Sequence, residues 1–299
     1  MHKHRARVTC AALAVVALAV FGFAGSASAK LTGNYTKFAQ CPFTNTEVKK
    51  CLYSVTESGE TVLGNKKVPI EKQVVLQGGL GAAVVGGAEE GNRKFFAATN
   101  GVTLSKAPQN VPGGLLGIVP EEKQNWLIKK LIKFFFENSL TGLNATLELA
   151  KPASEIVVNE VHLAEGQGVA LQMPVKVHLE NPFLGSNCFI GSSTSPLVWN
   201  LTDGTTSPPK PNTPITGSGG TAEFLEEGRI LEDKGTKLVD NAWSAPAATG
   251  CGGILAFLVN PIVVGQIGTT TAGHNTAILG NTLFVAARIA VSKNNEENP

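Results

Sequence analysis

The acidic side chains are the residues of this 299-residue sequence that most readily suggest chemistry. A dense acidic run consists of Glu223, Glu226, Glu227, Glu232 and Asp233. Glycoside hydrolysis needs two carboxyl groups at a fixed separation, one to protonate the leaving group and one to act as base or nucleophile. Because a sequence alone does not give that separation, a solvated acidic turn is the favoured interpretation. A secreted hydrolase acting on wall polymers stays an alternative.

Other catalytic and metal-binding patterns are incomplete. The histidines beyond residue 30 are His162, His178 and His274, and none belongs to an H-E-x-x-H ligand pair. There is no G-x-S-x-G nucleophile elbow, and the glycine-rich stretch at 78–87 has Val84 where a dinucleotide-binding loop requires its third glycine. The sequence therefore predicts no catalytic residue, no cofactor-binding residue, no metal site and no cofactor. It favours a protein that is not an enzyme.

The N-terminal segment 1–29 has the pattern of a secretory signal peptide. A basic start, MHKHRAR, precedes an apolar run from Ala11 to Gly25 and the small residues Ala27-Ser28-Ala29. The apolar run is shorter than the roughly 20 residues that a permanent membrane span needs. We therefore expect cleavage after Ala29 and a secreted, extracellular or wall-associated protein. Its mature part would carry 22 basic and 23 acidic residues. Because these charges nearly balance, the protein has no net positive electrostatic potential that would attract nucleic acid.

Four cysteines remain after the predicted cleavage: Cys41, Cys51, Cys188 and Cys251. An even set in an exported chain indicates two disulfides. Three pairings are open, and proximity in the chain favours Cys41 with Cys51, which leaves Cys188 with Cys251. Zinc binding is disfavoured because the set contains no C-x-x-C pair and no neighbouring histidine.

The elements that would position these residues are mostly strands. Apolar residues alternate at Val175, Val177 and Leu179 while Lys176, His178 and Glu180 fall on the other face, as in a half-buried antiparallel strand. Short strands are also predicted at Leu197–Leu201, Thr236–Val239 and Ile254–Val259, separated by turn-rich loops. The pattern predicts a mainly β fold, an antiparallel sandwich or barrel-like sheet.

The exception is an amphipathic α-helix predicted at about 121–139 and inserted between the two sets of strands. Its apolar face would carry Trp126, Leu127, Leu131, Phe134 and Phe135, with lysines opposite. Such a face usually packs on a sheet, but aromatic residues opposite lysines also suit a helix lying on a membrane surface. We therefore treat these five residues as a candidate interaction face.

One domain is predicted over 30–292, with an alternative subdivision near 120–141, followed by a flexible polar tail at 293–299. Three segments, Lys176–Gly191, Leu201–Pro209 and Trp243–Gly252, resemble a group of uncharacterised secreted proteins of actinobacteria that have no assigned activity. The resemblance implies a location outside the membrane of a high-GC Gram-positive bacterium and a link between Cys188 and Cys251.

The sequence thus favours a disulfide-stapled cell-envelope or extracellular protein with a structural or binding role. A lipid or membrane-surface binder acting through the helix at 121–139 is the second hypothesis, and the secreted hydrolase is the third. The partners left open are a cell-envelope component or a lipid, with no nucleic acid.

Overall fold

The computed structural model describes residues 30–114, 130 and 142–298. Within these ranges, fourteen strands belong to one sheet in which every pairing is antiparallel. The strands are β1 (Lys50–Leu63), β2 (Lys66–Pro69), β3 (Val74–Ala83), β4 (Asn92–Phe96), β5 (Pro108–Asn110), β6 (Asn144–Leu149), β7 (Val157–Asn159), β8 (Leu171–Glu180), β9 (Phe189–Ile190), β10 (Leu197–Leu201), β11 (Thr221–Leu225), β12 (Ile230–Asp240), β13 (Ala248–Thr249) and β14 (Asn275–Ala287). The helices are α1 (Glu160–Glu165), α2 (Ala256–Ile267) and α3 (Arg288–Glu297), with short 3-10 helices at Gly33–Phe38, Ala153–Glu155 and Gly253–Leu255.

The strand order along the sheet is β11-β12-β14-β1-β3-β4-β7-β8-β6-β5, with β2 added to β1, β9 and β10 to β8, and β13 to β9. The predicted mainly β, antiparallel fold is confirmed. The described strands form one sheet that is not closed, so this part of the chain shows the predicted antiparallel sheet but neither the two packed sheets of a sandwich nor a closed barrel-like form.

The sheet nonetheless curls back on itself. Thr202, just beyond β10, forms an isolated bridge with Val239 of β12, through hydrogen bonds of 3.0 and 2.7 Å between their backbones. This bridge brings β10, which branches from β8, against β12, which lies near the far end of the strand order. The inner face of the curl therefore encloses the main core.

Two β-bulges lie at the same level of the sheet. Thr56 of β1 and Thr236 of β12 both pair with Asn281 of β14, and the extra residues Glu57 and Gly235 have no partner on that strand. Gly235 has φ +82°, a backbone conformation that suits glycine at a bulge. Bulges bend strands and increase their twist, so this pair helps three neighbouring strands wrap around the main core.

A second, smaller core lies on the outer face of β1, β12 and β14. Tyr35 and Phe38 of the first 3-10 helix pack there with Ile230, Phe284 and Val291. The disulfide between Cys41 and Cys51 belongs to this cluster. The two ends of the described chain also meet here, because the Lys30 N–H donates to the Asn298 carbonyl at 3.0 Å.

Several sequence predictions are settled by these elements. The strand predicted at Ile254–Val259 is wrong, since this segment forms a 3-10 turn and the start of α2. The glycine-rich stretch is a strand for most of its length, and a Cβ on Gly78 would lie only 2.5 Å from the Phe95 ring.

Other predictions stay untested. Apart from residue 130, which is helical, the helix expected at 121–139 and the subdivision near 120–141 fall outside the described residues. The frayed tail expected at 293–299 also stays a prediction, although residues 293–297 lie in α3.

Candidate functional site

The main core contains a partly open cavity of about 130 Å³, counted as the space that the centre of a water molecule can occupy. One water needs about 10–15 Å³ on that measure, so the space is roughly ten times larger. Of the 29 described residues that line it, 22 are apolar. The apolar lining consists of Leu63, Val68, Ile70, Val74, Leu76, Leu104, Ala107, Val111, Leu143, Ala145, Leu147, Leu171, Met173, Val177, Leu179, Leu184, Ile190, Trp199, Leu238, Val263, Ile267 and Leu279.

Strand alternation builds one wall of this cavity. Met173, Val177 and Leu179 of β8 face inward, and Ala145 and Leu147 of its neighbour β6 line the same space. This is the face that the sequence predicts to be buried, so the expected orientation of β8 is confirmed. Because successive side chains of a strand point to opposite faces of the sheet, the polar residues of β8 lie on the outside.

The outward residues of β8 form a separate polar cluster. The His178 ring stacks on Phe189 with centroids 4.4 Å apart, and the Lys176 ammonium lies 4.1 Å from the centroid of the same ring. Glu148 of β6 accepts from Lys106 at 2.9 Å and lies 3.3 Å from the Lys176 ammonium. Burial tends to raise the pKa of Glu148, but its contacts with Lys106 and Lys176 outweigh that effect and lower it. The two lysines pair with Glu148 outside the cavity, while the buried Nε2 of His178 has no hydrogen-bond partner among the described residues.

The opposite wall carries a polar stripe. Ser54, Thr56 and Thr61 of β1 line the cavity together with Asn281 of β14. The Thr56 hydroxyl donates to the Asn281 side-chain oxygen at 2.7 Å, and the Asn281 amide donates to the Leu279 carbonyl at 3.0 Å. Gln109, another polar lining residue, uses its side chain to hold the backbone of Glu71 and Lys72. Most of these polar groups thus have structural partners.

One rim of the cavity contains its charged residue. Lys66 of β2 and Gln266 of α2 line the space and are half-buried. The Asn65 N–H donates to the Ile267 carbonyl at 2.7 Å, which fixes the β1–β2 turn against the end of α2. Partial burial lowers the pKa of Lys66 from its ordinary value, because the surroundings disfavour the charged form.

A pair of tryptophans lies deeper in the core. Trp199 lines the cavity and meets Trp243 edge to face, with ring centroids 6.0 Å apart. Within the described part of the chain, neither indole nitrogen has a hydrogen-bond partner, although both are buried. Two buried indole N–H groups without acceptors lower the stability of the folded protein. One of them, that of Trp199, belongs to a residue that lines the cavity.

The disulfides pair as the sequence predicts, Cys41 with Cys51 and Cys188 with Cys251. The second pair is buried beside the cavity wall, and the Cys251 N–H donates to the Asn260 side chain of α2 at 2.9 Å. The Gly252 N–H donates to the Leu184 carbonyl at 2.8 Å. The Cys188–Cys251 bond therefore ties the segment that leads into α2 to the sheet, and Val263 and Ile267, in the last turns of α2, line the cavity.

The acidic run forms surface ion pairs and does not line the cavity. Glu223 and Glu232 are cross-strand partners, and the Lys234 ammonium lies 3.3 and 3.0 Å from their carboxylates. Those two contacts raise the pKa of Lys234. Glu227 pairs with Arg229 at 2.8 Å, and Glu226 accepts from the backbone N–H of Asn34 at 3.0 Å. Glu223, Glu227, Arg229 and Lys234 are exposed and Glu232 is 7% exposed, so the acidic run is a largely solvated hairpin with one buried carboxylate.

No group of three or more metal-ligating side chains occurs among the described residues. His162 contacts the Val169 carbonyl at 3.0 Å, and His274 contacts the Thr271 hydroxyl at 3.2 Å. None of the three histidines and no acidic residue is among the described residues that line the cavity. The described lining thus offers no acid–base pair. The candidate interaction face, Trp126, Leu127, Leu131, Phe134 and Phe135, lies outside the described residues.

Within the described chain, no helix combines the length and the apolar character that crossing a bilayer requires. The two disulfides fit an extracellular or secreted protein. The chain matches no model of a known protein family, no functionally characterised protein and no solved structure.

Proposed function

We propose that this protein is an extracellular, non-catalytic binding protein that holds a small apolar molecule in the cavity of its main core. The cavity carries this proposal, because it is a partly open pocket of about 130 Å³ that 22 apolar side chains line. An apolar lining with a few polar groups is the ordinary character of a ligand pocket.

The absence of acidic and histidine side chains from the described lining supports binding over hydrolysis. Hydrolytic sites need a general base or nucleophile within hydrogen-bond reach of the substrate. The lining hydroxyls, Ser54, Thr56 and Thr61, have no histidine or carboxylate among the described lining residues to activate them as nucleophiles. These groups can orient a ligand while the aliphatic side chains supply the affinity.

A cavity-filling substitution tests this function. Ala145→Phe on β6 would place a ring in the cavity, whereas Ala222→Phe on β11 adds the same ring at an exposed position. We expect the purified mature protein to bind a fluorescent apolar probe, anilinonaphthalene sulfonate. Ala145→Phe should weaken that binding at least tenfold and Ala222→Phe should leave it within twofold. Equal binding by both variants, with unchanged melting temperatures, would place the probe elsewhere and refute the proposal.

A second candidate role, contact with a lipid surface, is favoured by the outer face of α2. Ile254 in the preceding turn is 96% exposed and Phe257 is 72% exposed. The segment 252–267 contains no charged residue, and its other face lines the cavity through Val263 and Ile267. Apolar side chains presented in this way suit insertion into the interface of a bilayer.

Liposome flotation tests the lipid contact. Phe257→Glu should reduce co-flotation with neutral phosphatidylcholine vesicles at least fivefold, because a carboxylate resists transfer into the interface. The matched control is Phe224→Glu on β11, where the phenylalanine is 69% exposed on the strand at one end of the strand order. If the wild-type protein does not float with vesicles, or if both variants lose binding equally, the role of α2 is disproved.

A further inference from the structure

The hydroxyl of Ser54 lies in the cavity wall among apolar neighbours. Ser54 of β1 lines the cavity, and its cross-strand partners are Leu76 of β3 and Leu283 of β14. Directly opposed residues in an antiparallel pair point to the same face of the sheet, so the serine side chain faces the cavity between two leucines. Within the described part of the chain, the Ser54 hydroxyl has no hydrogen-bond partner. The serine therefore adds a polar group that these residues do not use themselves.

Thr56 and Asn281 extend this hydroxyl into a polar patch. Thr56 lies two residues after Ser54 on the same face of β1, and it pairs across the strands with Asn281. The Thr56 hydroxyl donates to Asn281 Oδ1 at 2.7 Å, and Asn281 Nδ2 donates to the Leu279 carbonyl at 3.0 Å. An amide nitrogen carries two hydrogens and a hydroxyl oxygen has two lone pairs, so this pair keeps capacity for a further hydrogen bond. The polar patch, Ser54 with Thr56 and Asn281, can thus both donate to and accept from a ligand.

The polar patch is uncharged. Lys66, the charged residue among the described lining, is the cross-strand partner of Leu63 at the other end of β1. At about 3.3 Å per residue, Leu63 lies roughly 25–30 Å along the strand from Ser54. A charged ligand group at the patch would leave water for a mostly apolar wall without an opposite charge beside it, which is unfavourable. The patch therefore suits an uncharged oxygen-containing group.

Other polar lining residues offer less to a ligand than this patch. Gln109 of β5 uses its side chain to hold the backbone of Glu71 and Lys72. Thr61 of β1 stands between two apolar cross-strand partners, Ala277 and Val68. The described lining from β3, β6 and β8 is entirely apolar, so most of the wall around the patch suits an alkyl chain.

We propose that the ligand is an uncharged molecule with an alkyl chain and a hydroxyl or carbonyl group, whose oxygen is held by Ser54, Thr56 and Asn281. This inference rests on the proposed binding function. A long-chain alcohol would donate and accept at the patch, whereas a ketone or ester would only accept, from Ser54 and Asn281.

The test compares eight-carbon ligands that differ in their polar group. Binding of octanol, methyl hexyl ketone, chlorooctane, octanoate and octylamine is measured by displacement of the fluorescent probe. We expect octanol or the ketone to bind at least tenfold more tightly than octanoate and octylamine. Which of the two binds more tightly distinguishes an alcohol from a carbonyl compound.

Two variants assign the effect to Ser54. Ser54→Ala should weaken binding of the preferred oxygen ligand at least fivefold and leave chlorooctane within about twofold, because chlorooctane has no group that hydrogen-bonds well with the hydroxyl. Thr61→Val removes another lining hydroxyl of the same strand and should leave both affinities within about twofold. If Ser54→Ala is not folded, the isosteric pair Ser54→Thr and Ser54→Val replaces it, and the threonine variant should bind the oxygen ligand at least fivefold more tightly.

The outcomes separate this inference from the binding function. If octanoate or octylamine binds as tightly as octanol, or if Ser54→Ala weakens octanol and chlorooctane equally or neither of them, the assignment of the polar patch is overturned and the binding function stands. If no eight-carbon ligand and no apolar probe binds, the binding function itself fails.

Discussion

Two buried aspartates, Asp240 and Asp203, differ in whether their carboxylate oxygens have hydrogen-bond partners. Asp240 is 3% exposed, and its oxygens accept from the backbone N–H groups of Asn200 at 2.7 Å and Ala242 at 2.9 Å. Asp203 is 4% exposed, yet one of its oxygens has no partner within the described chain. Burial raises the pKa of both carboxyls, and the nearby Asp233 adds to the rise at Asp203. The first aspartate anchors two strand ends, whereas the second carries a poorly compensated charge.

The substitution Asp203→Asn should therefore stabilise the protein at neutral pH. A folded-state pKa above the ordinary value near 3.8 means that the folded state holds the proton more tightly than the unfolded chain. The ionised group thus lowers stability at pH 7, and this loss disappears as the pH falls below the ordinary value. We expect Asp203→Asn to raise the melting temperature at pH 7 by about 2–4 °C, or about 1 kcal/mol. The gain should vanish at pH 3 in thermal melts followed by circular dichroism.

Asp240→Asn is the matched control and should have the opposite sign. An amide nitrogen cannot accept from an N–H group, so one of the two backbone donors at Asn200 and Ala242 would lose its partner. The expected cost at pH 7 is about 1–3 kcal/mol. A gain for Asp203→Asn that persists at pH 3 would show that charge is not the cause.

At the scale of elements, period-two patterns predict most of the site-forming strands but not how they bend. Val175, Val177 and Leu179 face inward as the alternation in β8 indicates. The same reasoning fails on β12, where Ile230 and Leu238 are eight residues apart and would share one face. The bulge at Gly235 separates them, so that Ile230 packs in the second core and Leu238 lines the cavity. An isolated glycine within a strand pattern hints at a bulge, but it does not say which face follows it.

The helix α2 is the clearest failure of the sequence patterns. The run Ile254–Val259 is apolar and short, and periodicity does not separate a strand from a buried helix in such a run. Tertiary contacts decide the outcome, because Val259, Val263 and Ile267 fall on one side of the helix and pack into the main core. The Asn260 side chain then accepts from the Cys251 N–H, which fixes the start of the helix. These partners come from distant parts of the chain, so local sequence does not reveal them.

The cavity is a property of the whole molecule. Its described lining comes from ten of the fourteen strands, from α2 and from loops. The bridge between Thr202 and Val239 brings two of the lining strands, β10 and β12, together. A sequence identifies which side chains face inward, but it does not show whether they fill the enclosed space. The cysteine pairing, in contrast, is predictable from chain proximity, since the loops of 10 and 63 residues follow from pairing near neighbours first.

The two disulfides should have separable effects on stability and on ligand binding. In the chain-entropy model, the 63-residue loop closed by Cys188–Cys251 contributes about 4 kcal/mol and the 10-residue loop closed by Cys41–Cys51 about 2–3 kcal/mol. We expect the double substitution Cys188→Ser with Cys251→Ser to lower the melting temperature more than Cys41→Ser with Cys51→Ser. It should also weaken binding of the fluorescent apolar probe at least fivefold, because α2 loses its covalent tie to the sheet. The Cys41–Cys51 bond lies in the second core, outside the cavity, so its removal should leave probe affinity within twofold at a temperature where both variants are folded. An equal loss of affinity in the two variants would mean that the cavity depends on overall stability, and not on the local anchoring of α2.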